Sequence, residues 1–177
     1  GFRAYYKTSP HSRLTAEYHH IHEFRRGGDS FDKAPHMALL CEQLDHNIDG
    51  GGLRFDLFPN MRHRASAYVS AQGISRSSYF GADMNPNAYG TTKDLTFVGG
   101  AQYTLSYKAG LPSELTVGAE YNLNNLNDIY MATGRELNQQ TTTYGLFAQN
   151  EWKSEKLNIL IGFRLDKHNM IDRPIFA

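Results

Sequence analysis

Eight histidines and an even balance of acids and bases supply the side chains that could do chemistry in this chain. The densest run is Glu17-Tyr18-His19-His20-Ile21-His22-Glu23, which has the imidazoles and carboxylates of a transition-metal site. On an extended strand His20 and His22 share a face while His19 points away, so three ligands do not converge. Polar histidines near a strand end are the simpler account. Asp29, Asp32, Asp83 and Asp94 offer oxygens for calcium, but calcium takes six to eight ligands and this spacing is not that of an EF-hand. Solvated loop acids fit better. Serine, histidine and aspartate are scattered, with no Gly-x-Ser-x-Gly elbow, phosphate loop or His-Glu-x-x-His helix. The residues therefore point away from an enzyme, and no cofactor or metal site is expected.

The totals narrow the class further. Lys+Arg and Asp+Glu are 18 each over 177 residues, so nothing marks nucleic acid as a partner. Mean hydropathy is negative, and no run approaches the ~20 apolar residues of a membrane helix. A β-barrel stays open, because lumen-facing positions are polar and dilute the average. The single cysteine, Cys41, allows no internal disulfide. The chain opens on Gly1-Phe2-Arg3, without initiator Met or signal peptide, which fits a processed or excised segment.

The elements that position these groups are strands. From Leu95 to Leu123 the chain reads as a hairpin around the turn Lys108–Glu114. Leu95, Phe97, Gly99, Ala101, Tyr103, Leu105 and Tyr107 share one face of the first arm; Leu115, Val117, Ala119, Tyr121 and Leu123 share one face of the second. Thr96, Gln102, Thr104, Thr116, Glu120 and Asn122 occupy the other, polar face. Both arms reach the roughly 9–11 residues that a tilted strand needs to cross a bilayer. The same reading gives eight strands in all: about 1–7, 13–24, 39–58, 63–79, the two arms, 138–152 and 157–166. In the third, alternation slips phase at Gly50-Gly51-Gly52, and a β-bulge there would restore the facing. Long polar loops are expected at 25–36, 80–94 and about 125–136. Connections then alternate short and long, as in outer-membrane barrels with short periplasmic turns and longer extracellular loops. Phe58, Tyr107 and Trp152 lie beside short turns, where an interfacial aromatic belt would sit.

At the last two strands a resemblance becomes specific. Tyr144-Gly145-Leu146-Phe147-Ala148-Gln149-Asn150-Glu151-Trp152, followed by Ile161-Gly162-Phe163-Arg164-Leu165-Asp166, resembles the barrel of TonB-dependent outer-membrane receptors. Leu14–Gly28 and Asn87–Thr96 are similar to Bacteroides-type receptors of this family. The resemblance implies an all-β antiparallel meander, a piece of a 22-stranded barrel whose lumen is closed by a plug. Residues 1–177 would then be a segment of one barrel domain, with the plug outside this sequence. It further implies an active transporter of a ferric siderophore, haem or cobalamin, with gut glycans as another cargo class. The partners implied are the TonB–ExbB–ExbD complex acting through the plug, the plug itself, membrane lipid and a small-molecule or metal-chelate cargo.

On that reading Arg54, Asp56, Glu120, Gln149, Glu151, Arg164 and Asp166 form a charged lumen wall facing the plug. Arg25, Arg26, His36, Tyr79, Phe80, Tyr89, Tyr130 and Arg135 lie in or near the long loops, where aromatic and arginine anchors favour cargo contact. Two other readings are a self-contained eight-stranded outer-membrane barrel with a structural or adhesion role, and a soluble lipocalin-like binder. A stunted first strand and Pro174 near the end weigh against closure of eight strands.

Overall fold

The computed structural model describes residues 1–172. They form one antiparallel sheet of β1 (Phe2–Ser9), β2 (Ser12–Gly28), β3 (Leu40–Asn60), β4 (His63–Ala82), β5 (Tyr89–Ala109), β6 (Leu111–Tyr130), β7 (Arg135–Lys153) and β8 (Asn158–Asp172). Each strand pairs with its sequence neighbour, in the order β1 to β8. The eight-stranded meander expected from alternation is therefore present. β1 and β8 lie at opposite edges, and among the described residues no ladder joins them, so the sheet is open. Pro174 lies outside the described residues.

Residues paired across an antiparallel ladder point to the same side, so the registers fix two faces. Leu53, Val69, Gly99, Tyr121 and Tyr144 form one cross-strand row. The next row, Arg54, Tyr68, Gly100, Glu120, Gly145 and Asp166, points the other way. The first belongs to an apolar face, the second to a polar face.

Three expectations are corrected by these registers. Gly50–Gly52 holds no bulge: β3 pairs with β2 and β4 without a shift through the glycines, and its only irregularity lies between Leu57 and Asn60. Leu44, His46 and Ile48 therefore stay on the polar face. What changes along β3 is the polarity of each side. Beyond Gly51 the apolar face turns hydrophilic with Asp49, Asn47 and Asp45, while the polar face gains the row Ile21, Ile48 and Ile74. The third long loop is also absent. β6 runs to Tyr130 and β7 starts at Arg135, leaving a 3-10 turn at Met131–Thr133 closed by Gly134 at φ 61°. Asn125–Asp128 reads as loop by composition, yet its residues pair in register with β5 and β7. Finally, β2 and β4 extend through Gly28 and Ala82, and β5 starts at Tyr89, so the first two long loops shrink to 29–39 and 83–88.

The described residues form almost no water-excluding core. A compact 20.0 kDa protein would expose about 8,700 Å² by size scaling; this sheet exposes 11969 Å². The buried hydrophobic residues are Ala38, Cys41, Tyr79 and Ala88, all under the loops 29–39 and 83–88. Leu53, Val69, Leu146, Ile161, Phe163 and Leu165 are exposed by 45% or more. An apolar surface continuous over β2–β8 is far beyond the few hundred Å² seen on soluble monomers and marks a membrane or protein contact.

Candidate functional site

The polar face is organised around side chains that lie flat across a neighbouring strand. Tyr68 on β4 crosses β5 at Gly100, and its hydroxyl donates to Glu120 Oε2 on β6 at 2.7 Å. Arg164 on β8 crosses β7 at Gly145 and donates to Glu120 Oε1 at 3.2 Å, while its Nε donates to Asp166 at 2.9 Å. The glycines leave the room: a Cβ on Gly100 would sit 2.6 Å from the Tyr68 ring, and one on Gly145 would sit 2.6 Å from Arg164. Toward the short-turn end, Asp56 is 3% exposed and accepts from Arg54 at 2.8 Å and Arg13 at 3.1 Å. Arg64 meets Glu114 at 2.8 Å, and Lys153 meets Glu151 at 3.2 Å. Of the expected wall residues, Arg54, Asp56, Glu120, Glu151, Arg164 and Asp166 thus share one polar face in three ion-paired groups, with Gln149 beside Arg64 and Asp56.

Toward the long-loop end the same face carries Arg76, which donates to Thr92 at 2.6 Å and meets Asp128 at 3.4 Å. Asn124 donates to Asp94 at 2.7 Å. These cross-strand bonds explain why polar residues there form strand: each side chain finds its partner on the next strand. Asp94 serves this lattice and Asp29 Oδ1 accepts from Leu39 N at 3.1 Å. No group of three or more His, Cys, Asp or Glu able to hold a metal occurs among the described residues.

The eight rim residues divide by environment. Tyr79, 1% exposed, packs edge-on against Tyr89 at 4.8 Å, and its hydroxyl donates to Asn85 O at 2.9 Å. Burial pushes its phenol above the ordinary tyrosine value. Tyr89 Oη pairs with His36 Nδ1 at 2.8 Å, and Arg26 donates to the carbonyls of Ser30 at 3.1 Å and Lys33 at 2.7 Å. These four hold the two loops in place. Arg25 is exposed on the polar face beside Glu23 at 2.5 Å. Tyr130 donates to Phe80 O at 2.9 Å; Phe80 is 41% exposed, and Arg135 opens β7 at the same rim. Arg25, Phe80 and Arg135 are thus exposed at the rim, with Tyr130 half-buried beside Phe80.

The apolar face carries no charged side chain from Leu14 to Tyr18, Leu53 to Leu57, Ala65 to Ala71, Phe97 to Tyr107, Leu115 to Leu123, Tyr144 to Trp152 or Ile159 to Leu165, taking alternate residues. Its aromatics include a group at each limit of the uncharged stretch, with Phe55, Tyr103 and Phe163 between them. Tyr107 and Trp152 lie near the short turns, with Tyr107 donating to Asn150 at 3.0 Å. Phe58, expected with them, lines the polar face instead. A second level, Phe97, Tyr121 and Tyr144, has ring centroids 6.2 and 5.2 Å apart. Phe97 and Tyr107 on β5 are ten residues apart, about 34 Å along a strand and about 24 Å along the normal at a 45° tilt. That matches the ~25 Å apolar band between the aromatic girdles of an outer-membrane barrel. Alternation in the sequence puts Phe97 and Tyr121 on apolar faces, and the registers align Tyr144 with them across strands.

Comparison with family models agrees: residues 5–172 match the model for the TonB dependent receptor-like beta-barrel. The chain belongs to the TonB-dependent receptor family. No curated protein and no solved structure matches it. Membership makes this receptor sheet part of an outer-membrane transport barrel, and it accounts for how little of the described sheet is buried. Among the described residues no helix is long and apolar enough to cross a membrane, which says nothing against crossing by strands. Above the upper girdle, the receptor's outward face carries His20 with Asp49 at 2.9 Å and His22 with Asp45 at 3.0 Å. These histidines are paired with single carboxylates on a hydrophilic surface, and His19 sits on the opposite face against Gly50.

Proposed function

We propose that this chain is about a third of the wall of a 22-stranded, plugged barrel that imports a scarce large nutrient, a ferric siderophore, haem or cobalamin. The observation that carries the reading is the change of one face from uncharged to hydrophilic along strands of 17–21 residues. An uncharged face between two aromatic levels meets lipid, and beyond the upper level that face becomes hydrophilic because it meets water. The opposite face carries the ion pairs of Asp56, Glu114 and Glu120 within the membrane height, as a lumen wall against a plug would.

In this mechanism the outer rim captures the cargo and the TonB–ExbB–ExbD complex pulls on the plug. Exposed ion pairs contribute roughly 0–1 kcal/mol each, so a plug held by many of them is held well at rest and released stepwise. The barrel wall supplies binding and a polar path. The open sheet does not favour a self-contained eight-stranded barrel, and the exposed apolar face does not favour a soluble binder. Deletion of the complete gene, with growth and uptake measured on limiting haem, ferric siderophore and cobalamin, tests the cargo class. Loss of uptake for one of them is expected; normal uptake of all would remove these cargoes.

A further inference from the structure

Near the short-turn end of the polar face lies a recess of about 450 Å³. Its floor includes Ser66, Thr104 and Thr116, which are 8%, 6% and 8% exposed. The two threonine hydroxyls satisfy each other at 3.0 Å. Ser66 Oγ is buried without a partner, an uncommon state for a hydroxyl unless a further group arrives.

Three guanidiniums border the recess, and carboxylates hold them there. Asp56 gives one oxygen to Arg54 and the other to Arg13, and Glu114 holds Arg64. Three cations against two committed carboxylates leave the recess positive, and each guanidinium has five N–H donors, most of them unused by these pairs. The amides of Gln102 and Gln149 also line it and offer both donors and acceptors.

We infer that the recess receives a carboxylate side chain on an extended acidic peptide segment. The arginines present the forked donors that suit a carboxylate, Ser66 gains an acceptor for its hydroxyl, and the two glutamine amides pair with peptide backbone on either side. A free inorganic anion would fill little of this volume and would leave the glutamine acceptors unused. The inference rests on the reading that this face lines the lumen, and it commits to the plug domain of the same receptor as the source of the segment.

The test uses the full-length receptor in the outer membrane, with a photo-crosslinking amino acid at Gln102 and, in a separate variant, at Val117 on the apolar face. Gln149 serves as a second recess position should the Gln102 variant fail to assemble. Mass spectrometry of the digested adducts should find, from the recess position, a plug peptide with Asp or Glu within two residues of the attachment point. Val117 should capture lipid. The neutral variant R13Q/R54Q/D56N, which leaves no carboxylate stranded, should lower the recess adduct several-fold while heat-modifiable gel mobility stays unchanged. A plug peptide without an acidic residue, an undiminished yield in the neutral variant, or no adduct at either recess position would overturn the inference and leave the lumen reading standing, provided that Val117 still captures lipid. Lipid captured at Gln102 would overturn the lumen reading itself.

Discussion

Glycines on the polar face act as slots, and their effect is testable residue by residue. Gly100→Val would push a branched side chain into the Tyr68 ring and separate its hydroxyl from Glu120. Overpacking of this kind costs about 1–3 kcal/mol. Gly73 on the other side of the sheet has nothing within 4 Å of an added Cβ, so Gly73→Val should be neutral or slightly stabilising. Comparing the two by thermal unfolding of the receptor in detergent, followed by gel mobility, checks the prediction; equal losses would contradict it. Asp49 offers a pH test above the membrane. Bonds from the Tyr18 hydroxyl and then His20 hold its carboxyl below the usual aspartate range. A depressed pKa means that its contribution is complete above the ordinary value near 3.9 and is lost as pH falls through the depressed one. Tyr18→Phe should raise the Asp49 pKa, measured by infrared titration of the carboxylate; an unchanged titration would contradict the assignment.

At the scale of elements, the loops 29–39 and 83–88 behave as one unit. They are tied by Asp83 N to Leu39 O at 2.7 Å, by Met84 N to Ala38 O at 3.2 Å and by the His36–Tyr89 bond. Arg26→Ala would release two carbonyls, a loss of about 1–3 kcal/mol in the loops if they stay unsatisfied. Faster protease cleavage within 29–39 is expected, without change in the barrel's own melting; unchanged cleavage would show that the arginine does not hold the loop. The strands, by contrast, were legible where alternation is clean. Leu95–Tyr107 and Leu115–Leu123 follow the pattern read from sequence, since lipid on one side and polar groups on the other enforce a period of two. The upper strand halves were not, because Asn125–Asp128 (Leu126 apart) and Gly90–Asp94 are polar on both sides. Their pairing depends on partners such as Arg76 for Asp128, which lie 52 residues apart in sequence. The same cause produced the false bulge at Gly50–Gly52: a change of environment along one strand mimics a change of phase. Among the rim residues, composition could name Tyr79 and Arg26 as anchors but could not separate loop-holding groups from exposed ones.

For the whole molecule, an open sheet has two consequences. β1 and β8 present unpaired edges, which template mispairing. Residues 1–172 alone should therefore aggregate in water and fail to give a protected monomer by amide exchange; a stable soluble monomer would contradict membership in a larger wall. The apolar face should also resist charge. Val117→Arg near the middle of the band should cost about 2–4 kcal/mol, whereas Asn122→Arg on the polar face should change unfolding little, both read from refolding into lipid vesicles.

The central claim, that one face meets lipid only between the two aromatic levels, is tested most directly by spin labels along β5 in the full-length receptor in native-like bilayers. Relaxation by dissolved oxygen and by a water-soluble nickel chelate reports lipid and water contact at each position. The account predicts preferential oxygen contact at 97, 101 and 105, none at 98, 102 and 104, and dominant nickel contact at 91 and 93 on the outward face. Nickel contact at 101 equal to that at 93 would contradict it, because the uncharged face would then not be in lipid at all.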